Sequence, residues 1–404
     1  MSTSTSTLRA SYSRTMTFRD IGPLHDADES LNHQIVDTFA TVAESDHSWT
    51  EKLWVSIAST DGSVQADFGI GKYHNRGILD GFGGVSLGRQ QWTIRGSREL
   101  RTAPEDVSVG PLRYEVITPR RSVRVILEPN DIQPISFDLT LTGVTPPFFE
   151  ERNLVRNRRS NRIDVNVIRY HQGGWATGTI TINGETHRLD EGAAFGYRDH
   201  SWGVRQGVGH PLADLIGASP RAEAAASSPK GRMIWMPAFL QRPDGTYYET
   251  AMHIAGLWNM AGAFVNEQNG DQAEVRSIEP HMIYDQHTRF VKSGELHLEM
   301  ENGDHRVITV EALGESGFFL KPAGYGPWKG HKHGSWHGKL HLDGEHLADT
   351  RSDESLAQLG QLRDTPIRVR EGDAVGYGIM ESLINGEWPE LGLTAESDRI
   401  VPFS

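Results

Sequence analysis

Cysteine is absent from all 404 residues. That removes disulfides, thiolate metal sites, iron–sulfur clusters and cysteine nucleophiles together. No apolar run approaches the roughly 18 consecutive residues that a membrane-spanning helix needs, so no integral membrane segment is expected. Concentrated positive charge is lacking too. The formal net charge is −13, whereas nucleic acid partners require clustered Lys and Arg to meet phosphate. The one basic stretch, Arg152, Arg156, Arg158, Arg159 and Arg162, is interleaved with asparagine and reads as a solvated loop. There is no Gly-x-Ser-x-Gly elbow and no repeat of roughly 20 to 50 residues. No helix follows Gly69-Ile70-Gly71 or Gly81-Phe82-Gly83-Gly84 to hold a nucleotide phosphate. The opening Met1–Thr7 is a polar Ser/Thr tract with no apolar run behind it, so export is not expected and a cytoplasmic location is.

Turns and alternation are abundant. With 43 glycines and ten tryptophans, the chain reads as strands separated by Gly, Asn and Asp. Leu53–Ala58 runs through the turn Asp61-Gly62 into Val64–Ile70. Arg113–Ile117 faces Val123–Leu127 across Pro119-Arg120-Arg121. Ile135–Thr142 is apolar at every odd position. Trp175–Ile182 enters Asn183-Gly184, a strong short hairpin signal. Strand signals resume at Arg232–Met236 and continue to Ala374–Glu381. Only Ser30–Ala43 and Asp353–Gln361 look helical. The length favours two domains, and the pattern an all-β protein of two halves, each closing on itself to protect its edges. The expected division is a tail over 1–29, a β domain over 30–205, a linker or surface excursion over 206–230, and a second β domain over 231–404.

Chemistry concentrates in Tyr197-Arg198-Asp199-His200-Ser201-Trp202-Gly203-Val204-Arg205. On a regular strand Tyr197, Asp199 and Ser201 share one face, and Arg198, His200 and Trp202 the other. A bulge at Gly196 or Gly203 would be needed to bring Asp199 and His200 into one pocket. An imidazole passes protons near neutral pH and an indole face stabilises a cation, which favours His200 with Trp202 in a cavity. Against this stands a structural reading, a buried ion-pair cluster of Asp199 with Arg198 or Arg205. The histidines of His331-Lys332-His333-Gly334-Ser335-Trp336-His337-Gly338-Lys339-Leu340-His341 would share a face only on an unbroken strand. Gly334 and Gly338 suggest a hydrogen-bonded hairpin instead, so no metal and no other cofactor is expected. Glu381 is an isolated carboxylate on the last strong strand, able to reach a pocket although a surface position is commoner.

The string Tyr197-x-Asp199-His200-x-Trp202-Gly203-x-Arg205, with Tyr170-His171-Gln172-Gly173-Gly174-Trp175-Ala176-Thr177-Gly178 before it, resembles the carotenoid 1,2-hydratase and AttH-like group. The resemblance implies two lipocalin-like antiparallel β-barrel or half-barrel domains packed together. It also implies an apolar, isoprenoid-like small-molecule partner, with hydration, dehydration, isomerisation or cyclisation as the reaction, in a hydrophobic cavity. A general acid would protonate the double bond and aromatic faces would hold the cation. His200, Asp199, Trp202 and Tyr197 then stand as catalytic candidates, and Trp175, Arg205, Trp235 and Glu381 as substrate-binding ones. Met233–Ala238 lacks the Tyr and acidic residue that the hydratase branch is expected to carry there, so the proton donor is left unnamed. The alternative is a non-catalytic binder of a hydrophobic ligand.

Overall fold

The computed structural model describes residues 21–397 apart from 37–41, 101–105, 151, 158, 210–229 and 257; at 255, 256, 258–264 and 396 only the backbone is described. The expected tail over 1–20 and most of the expected linker, 210–229, lie outside the described residues.

The chain is all-β, in two antiparallel sheets. The first runs, from one edge, through Leu340–Leu347, Gln90–Glu99, Ile78–Leu87, Val64–Tyr73, Trp49–Ser59, Ala194–Val204, Ile163–Ile182, Ile135–Gly143, Ser122–Leu127, Leu112–Thr118 and Ser108–Val109. It curves as a half-barrel and stays open. The second comprises His305–Ala312, Val291–Met300, Gln272–Tyr284, Trp258–Glu267, Tyr247–Gly256, Gly231–Gln241, Ala374–Asn385 and Arg363–Glu371. Thr309–Ala312 also pair with Ile367–Arg370, which closes this sheet into a barrel and leaves it no free edge.

The hairpins form where the turn residues allow. Asn183 and Gly184 both have positive φ, 51° and 85°, as the right-handed twist of the flanking strands demands of a two-residue turn. Leu112–Thr118 pairs with Ser122–Leu127 as expected, with a shift of register between Val116 and Thr118. Ile135–Gly143 buries alternate residues, its apolar face turned to the core. Trp49–Ser59, by contrast, is buried at every position because both its faces are covered. Leu53, Val55 and Ile57 belong to the core of the first sheet, while Trp54 and Ala58 pack with Phe195, Tyr197, Trp235 and Phe239 between the two sheets.

Three features differ from the sequence reading. Asp26–Glu29, assigned to the tail, forms a short 3-10 turn whose Glu29 is buried. Within Ser30–Ala43, expected to be helical, the described residues hold turns and an isolated bridge between Ile35 and Val42. Buried Gln34 takes up the backbone there, bonding both the N–H and the C=O of Glu44. Leu340–Leu347, counted with the second domain, crosses back to extend the first sheet along Gln90–Glu99. Asp353–Leu359 is helical as read, with Ser352 capping the N–H of Ser355. Among the described residues no helix is long and apolar enough to cross a membrane.

Candidate active site

Ala194–Val204 is flanked by Trp49–Ser59 on one side and Ile163–Ile182 on the other, and both registers run without a bulge. Gly203 has φ 129° and lies so close to the neighbouring strand that a Cβ there would meet the Asn166 carbonyl oxygen at 2.0 Å. The glycine therefore permits tight pairing rather than a change of register. Alternation survives, and Asp199 and His200 stay on opposite faces.

The Asp199 face looks into a cavity of about 220 Å³ between the two sheets. The first sheet contributes Lys52, Trp54, Arg169, Asp199 and Ser201, with Arg205 just beyond the strand end. Met233, Trp235, His253, Glu381 and Leu383 come from the second, and Tyr325 and Leu362 complete the lining. Arg169 is within 3.1 Å of both Asp199 and Glu150, and Glu150 also bonds His171 at 2.8 Å. Arg205 donates to Ser201 Oγ at 2.8 Å, while its buried Nε has no hydrogen-bond partner. The Lys52 ammonium lies 4.0 Å from the centre of the Tyr325 ring. Burial, then the neighbouring positive charge of Arg205, draws the Lys52 amine down to about 7.

Glu381 stands opposite Trp235 across the pairing of Gly231–Gln241 with Ala374–Asn385. Trp235 in turn meets Trp54 edge to face, with ring centroids 5.5 Å apart. Behind Glu381 lie two fully buried acids, Asp364 and Asp67. Trp54 Nε1 donates to Asp364 Oδ2 at 2.9 Å. Both oxygens of Asp67 and one of Asp364 are buried with no donor. Facing carboxylates in that setting cannot all ionise, and shared protons resolve the deficit. Burial raises Asp67 to about 7 and Asp364 well above the carboxylate range, the latter reinforced by Asp67. Burial, followed by the charge of Asp364, raises Glu381 well above its ordinary value. Glu381 is thus the end of a row of three buried carboxyls, each raised above its ordinary value, that opens on the cavity.

Four of the residues singled out from sequence, Asp199, Arg205, Trp235 and Glu381, meet in this cavity. Tyr197 and Trp175 lie along the same interface. Tyr197 donates its hydroxyl to Glu249, whose carboxyl burial raises to about 7, and Trp175 Nε1 donates to Tyr247 at 3.1 Å. His200 and Trp202, the pair favoured for the cavity, do not line it. They sit on the other face, where His200 bonds Glu51 at 2.9 Å and Tyr170 at 3.1 Å. Trp202 stacks on His33 at 3.7 Å. The apolar cavity expected from the resemblance also has a charged wall. Sequence reading missed Lys52, Trp54, Asp67, Arg169, Tyr325 and Asp364. Lys52 and Asp67 carried a signal, as charged residues directly beside the apolar runs Leu53–Val55 and Phe68–Ile70.

A larger concavity, about 690 Å³, runs over the outside of the second barrel past His281, Ile283 and Arg368. It is an open groove beside solvent-exposed Ile283, and none of the raised carboxyls or the depressed lysine reaches it.

No curated protein matches the chain in sequence. Solved structures do, distantly. The AttH protein NE1406 of Nitrosomonas europaea is 14% identical with a TM-score of 0.46, over 83% of this chain and 92% of that one. Kievitone hydratase of Nectria haematococca is 12% identical at 0.39, over 88% and 95%. CghA is 9% identical at 0.39, over 84% and 89%. The likeness is distant in sequence and in shape alike. At such identities and scores nothing about chemistry or substrate follows from it. Family assignment rests on the sequence: residues 24–394 match a family of unknown function (DUF8625), and the chain belongs to it.

Proposed function

We propose that the chain is an enzyme that moves protons on a small, largely apolar molecule held between the two sheets, with Glu381 as acid and Lys52 as base. One observation carries the reading. A carboxyl kept protonated and an amine drawn to about 7 line the same aromatic-walled cavity. Pairs of titratable groups pushed towards the opposite of their usual states are the arrangement acid–base catalysis needs.

The apolar body of the substrate packs on Trp54, Trp235, Met233, Leu362 and Leu383. Its oxygen-bearing end meets Arg205, whose Nε is free of a protein partner. Glu381 gives its proton to a substrate double bond and becomes a carboxylate. The indole faces of Trp54 and Trp235 stabilise the cation that forms. Water then forms the new C–O bond and loses a proton to the Lys52 amine. Run backwards, the same steps remove water. Loss of a neighbouring carbon-bound proton to Lys52, in place of water capture, moves the double bond instead. Arg169 holds Asp199 in place at 3.1 Å, and the charge of Asp199 favours the protonated Lys52 amine once it has formed.

Incubation in D2O with a panel of isoprenoid-like alkenes bearing a carbonyl, carboxyl or hydroxyl group tests this by mass spectrometry. Deuterium at a substrate carbon is expected from the wild type and not from Glu381→Gln. A compound that binds with an affinity lost in Arg205→Ala, yet never gains deuterium, overturns the catalytic reading in favour of a binding protein.

A further inference from the structure

The histidine-rich run before the crossover strand plays no part in the cavity. It does not form the single strand that would align its histidines. Gly334 and Gly338 take positive φ, 73° and 105°, and the chain folds back as a loop. His333 turns inward towards Asp80, at 3.6 Å. The other three converge. The rings of His331, His337 and His341 lie 4.8, 5.3 and 5.4 Å from one another. Asp343 joins them: its Oδ2 is 2.7 Å from His331 Nε2 and 4.0 Å from His341 Nε2. Ligand atoms of His331, His341 and Asp343 all fall within 4.8 Å of each other.

We propose that His331, His337, His341 and Asp343 form a structural site for a zinc-type divalent cation, which ties the loop to the strand Leu340–Leu347 at the edge of the first sheet. The Nε2 atoms of His337 and His341 are buried and have no hydrogen-bond partner. A buried polar atom left in that state is costly, and a metal–nitrogen bond removes the cost. The three rings border a cavity of about 30 Å³, the scale of a single small occupant. Three imidazoles and one carboxylate are a ligand set that zinc accepts at about 2.0–2.2 Å, and four protein ligands with no open position make a structural site rather than a catalytic one.

The surroundings are built to orient the carboxylate. Arg95 bonds both oxygens of Asp343, at 3.0 and 3.1 Å, and Glu345 at 2.7 Å. Lys329 also pairs with Glu345, at 2.6 Å, so Arg95 is left to hold Asp343 towards the histidines. Supporting contacts of this kind fix a ligand's geometry and raise its affinity. Leu340–Leu347 departs from the second half of the chain to pair with Gln90–Glu99, so the site holds the loop against a strand of the first sheet.

The full chain, stripped with a chelator and titrated with Zn²⁺ by calorimetry, tests the site. One zinc per chain is expected, with a rise in the thermal unfolding midpoint because the metal binds the folded state. His337→Ala and His341→Ala should each weaken binding by about 100-fold or more, and Arg95→Lys by about 10-fold. His337 lies on the loop outside any strand, so the metal-free midpoint of His337→Ala should match the wild type. His281→Ala, in a histidine pair elsewhere on the surface, should change nothing. Zinc binding of equal strength in the wild type, His337→Ala and His341→Ala overturns the proposal, as does a wild type that takes up no zinc.

Discussion

Two pairs of acids, Glu29 with Glu51 and Asp67 with Asp364, are buried almost completely, at 4%, 0%, 0% and 0% exposure, yet they are shifted in opposite directions. Glu29 receives both Nη atoms of Arg198 at 2.8 Å and the Tyr170 hydroxyl at 2.8 Å. Glu51 binds His33 at 2.5 Å and His200 at 2.9 Å. Burial pushes both up, but these partners outweigh it: Glu29 is lowered and Glu51 is held at about 2. Asp67 and Asp364 face each other with no cation at hand, so burial prevails and both are raised. Burial alone therefore does not decide what an acid does here; its partner does. The first pair pins the segment Asp26–Val36 to the sheet. The second stands behind Glu381 at the cavity wall and helps to raise it.

The largest expected effect separates the two sets by activity. Glu381→Gln should reduce turnover by about two to four orders of magnitude, the usual scale of a lost general acid. Because the native side chain is already neutral, the folding stability of the variant should stay within about 1 kcal/mol of the wild type in urea denaturation. Arg198→Met should do the reverse within the first set. Leaving Glu29 buried without its cation should cost about 3–5 kcal/mol of stability.

Next in size is a difference of sign with pH. As pH rises from about 4 to about 7, the unfolded chain ionises Asp67 while the folded protein keeps its proton. That contribution is complete below the unfolded value and declines by up to about 1.4 kcal/mol per pH unit on the way up. Glu51 acts the other way: its contribution is present above the unfolded value and is lost as pH falls through about 2. In Asp67→Asn, denaturation at a series of pH values should show a flatter decline between about 4 and 7, with the loss at acid pH unchanged. The smallest effect is a limb of the activity profile. kcat/KM should rise with pH through about 7 as Lys52 loses its proton, and Lys52→Met should abolish that limb along with most of the turnover.

Local physics made the strands legible. The alternation of Ile135–Thr142 and the turn at Asn183-Gly184 depend on neighbours in sequence, and both stand where expected. Alternation also divided Asp199 from His200 correctly. It could not say which face met the other sheet; Asp199 lies on that face, and His200 with Trp202 on the other. The proton donor was hidden for the same reason. Residues 233–238 hold no acid, and the proposed donor, Glu381, is brought opposite Trp235 by strand pairing. Asp67 and Asp364 are nearly 300 positions apart, and only the packing of the two sheets makes them neighbours. The histidine run shows the converse. Its glycines correctly argued against a strand, yet the loop they permit is what gathers three of the four rings.

The central claim is that Glu381 is protonated at neutral pH while facing the cavity. An infrared difference spectrum at pH 7, wild type minus Glu381→Gln, reads that carboxyl directly. A protonated carboxyl C=O band present in the wild type and missing from the variant is the predicted result. Loss of carboxylate bands in its place would show Glu381 ionised and contradict the account.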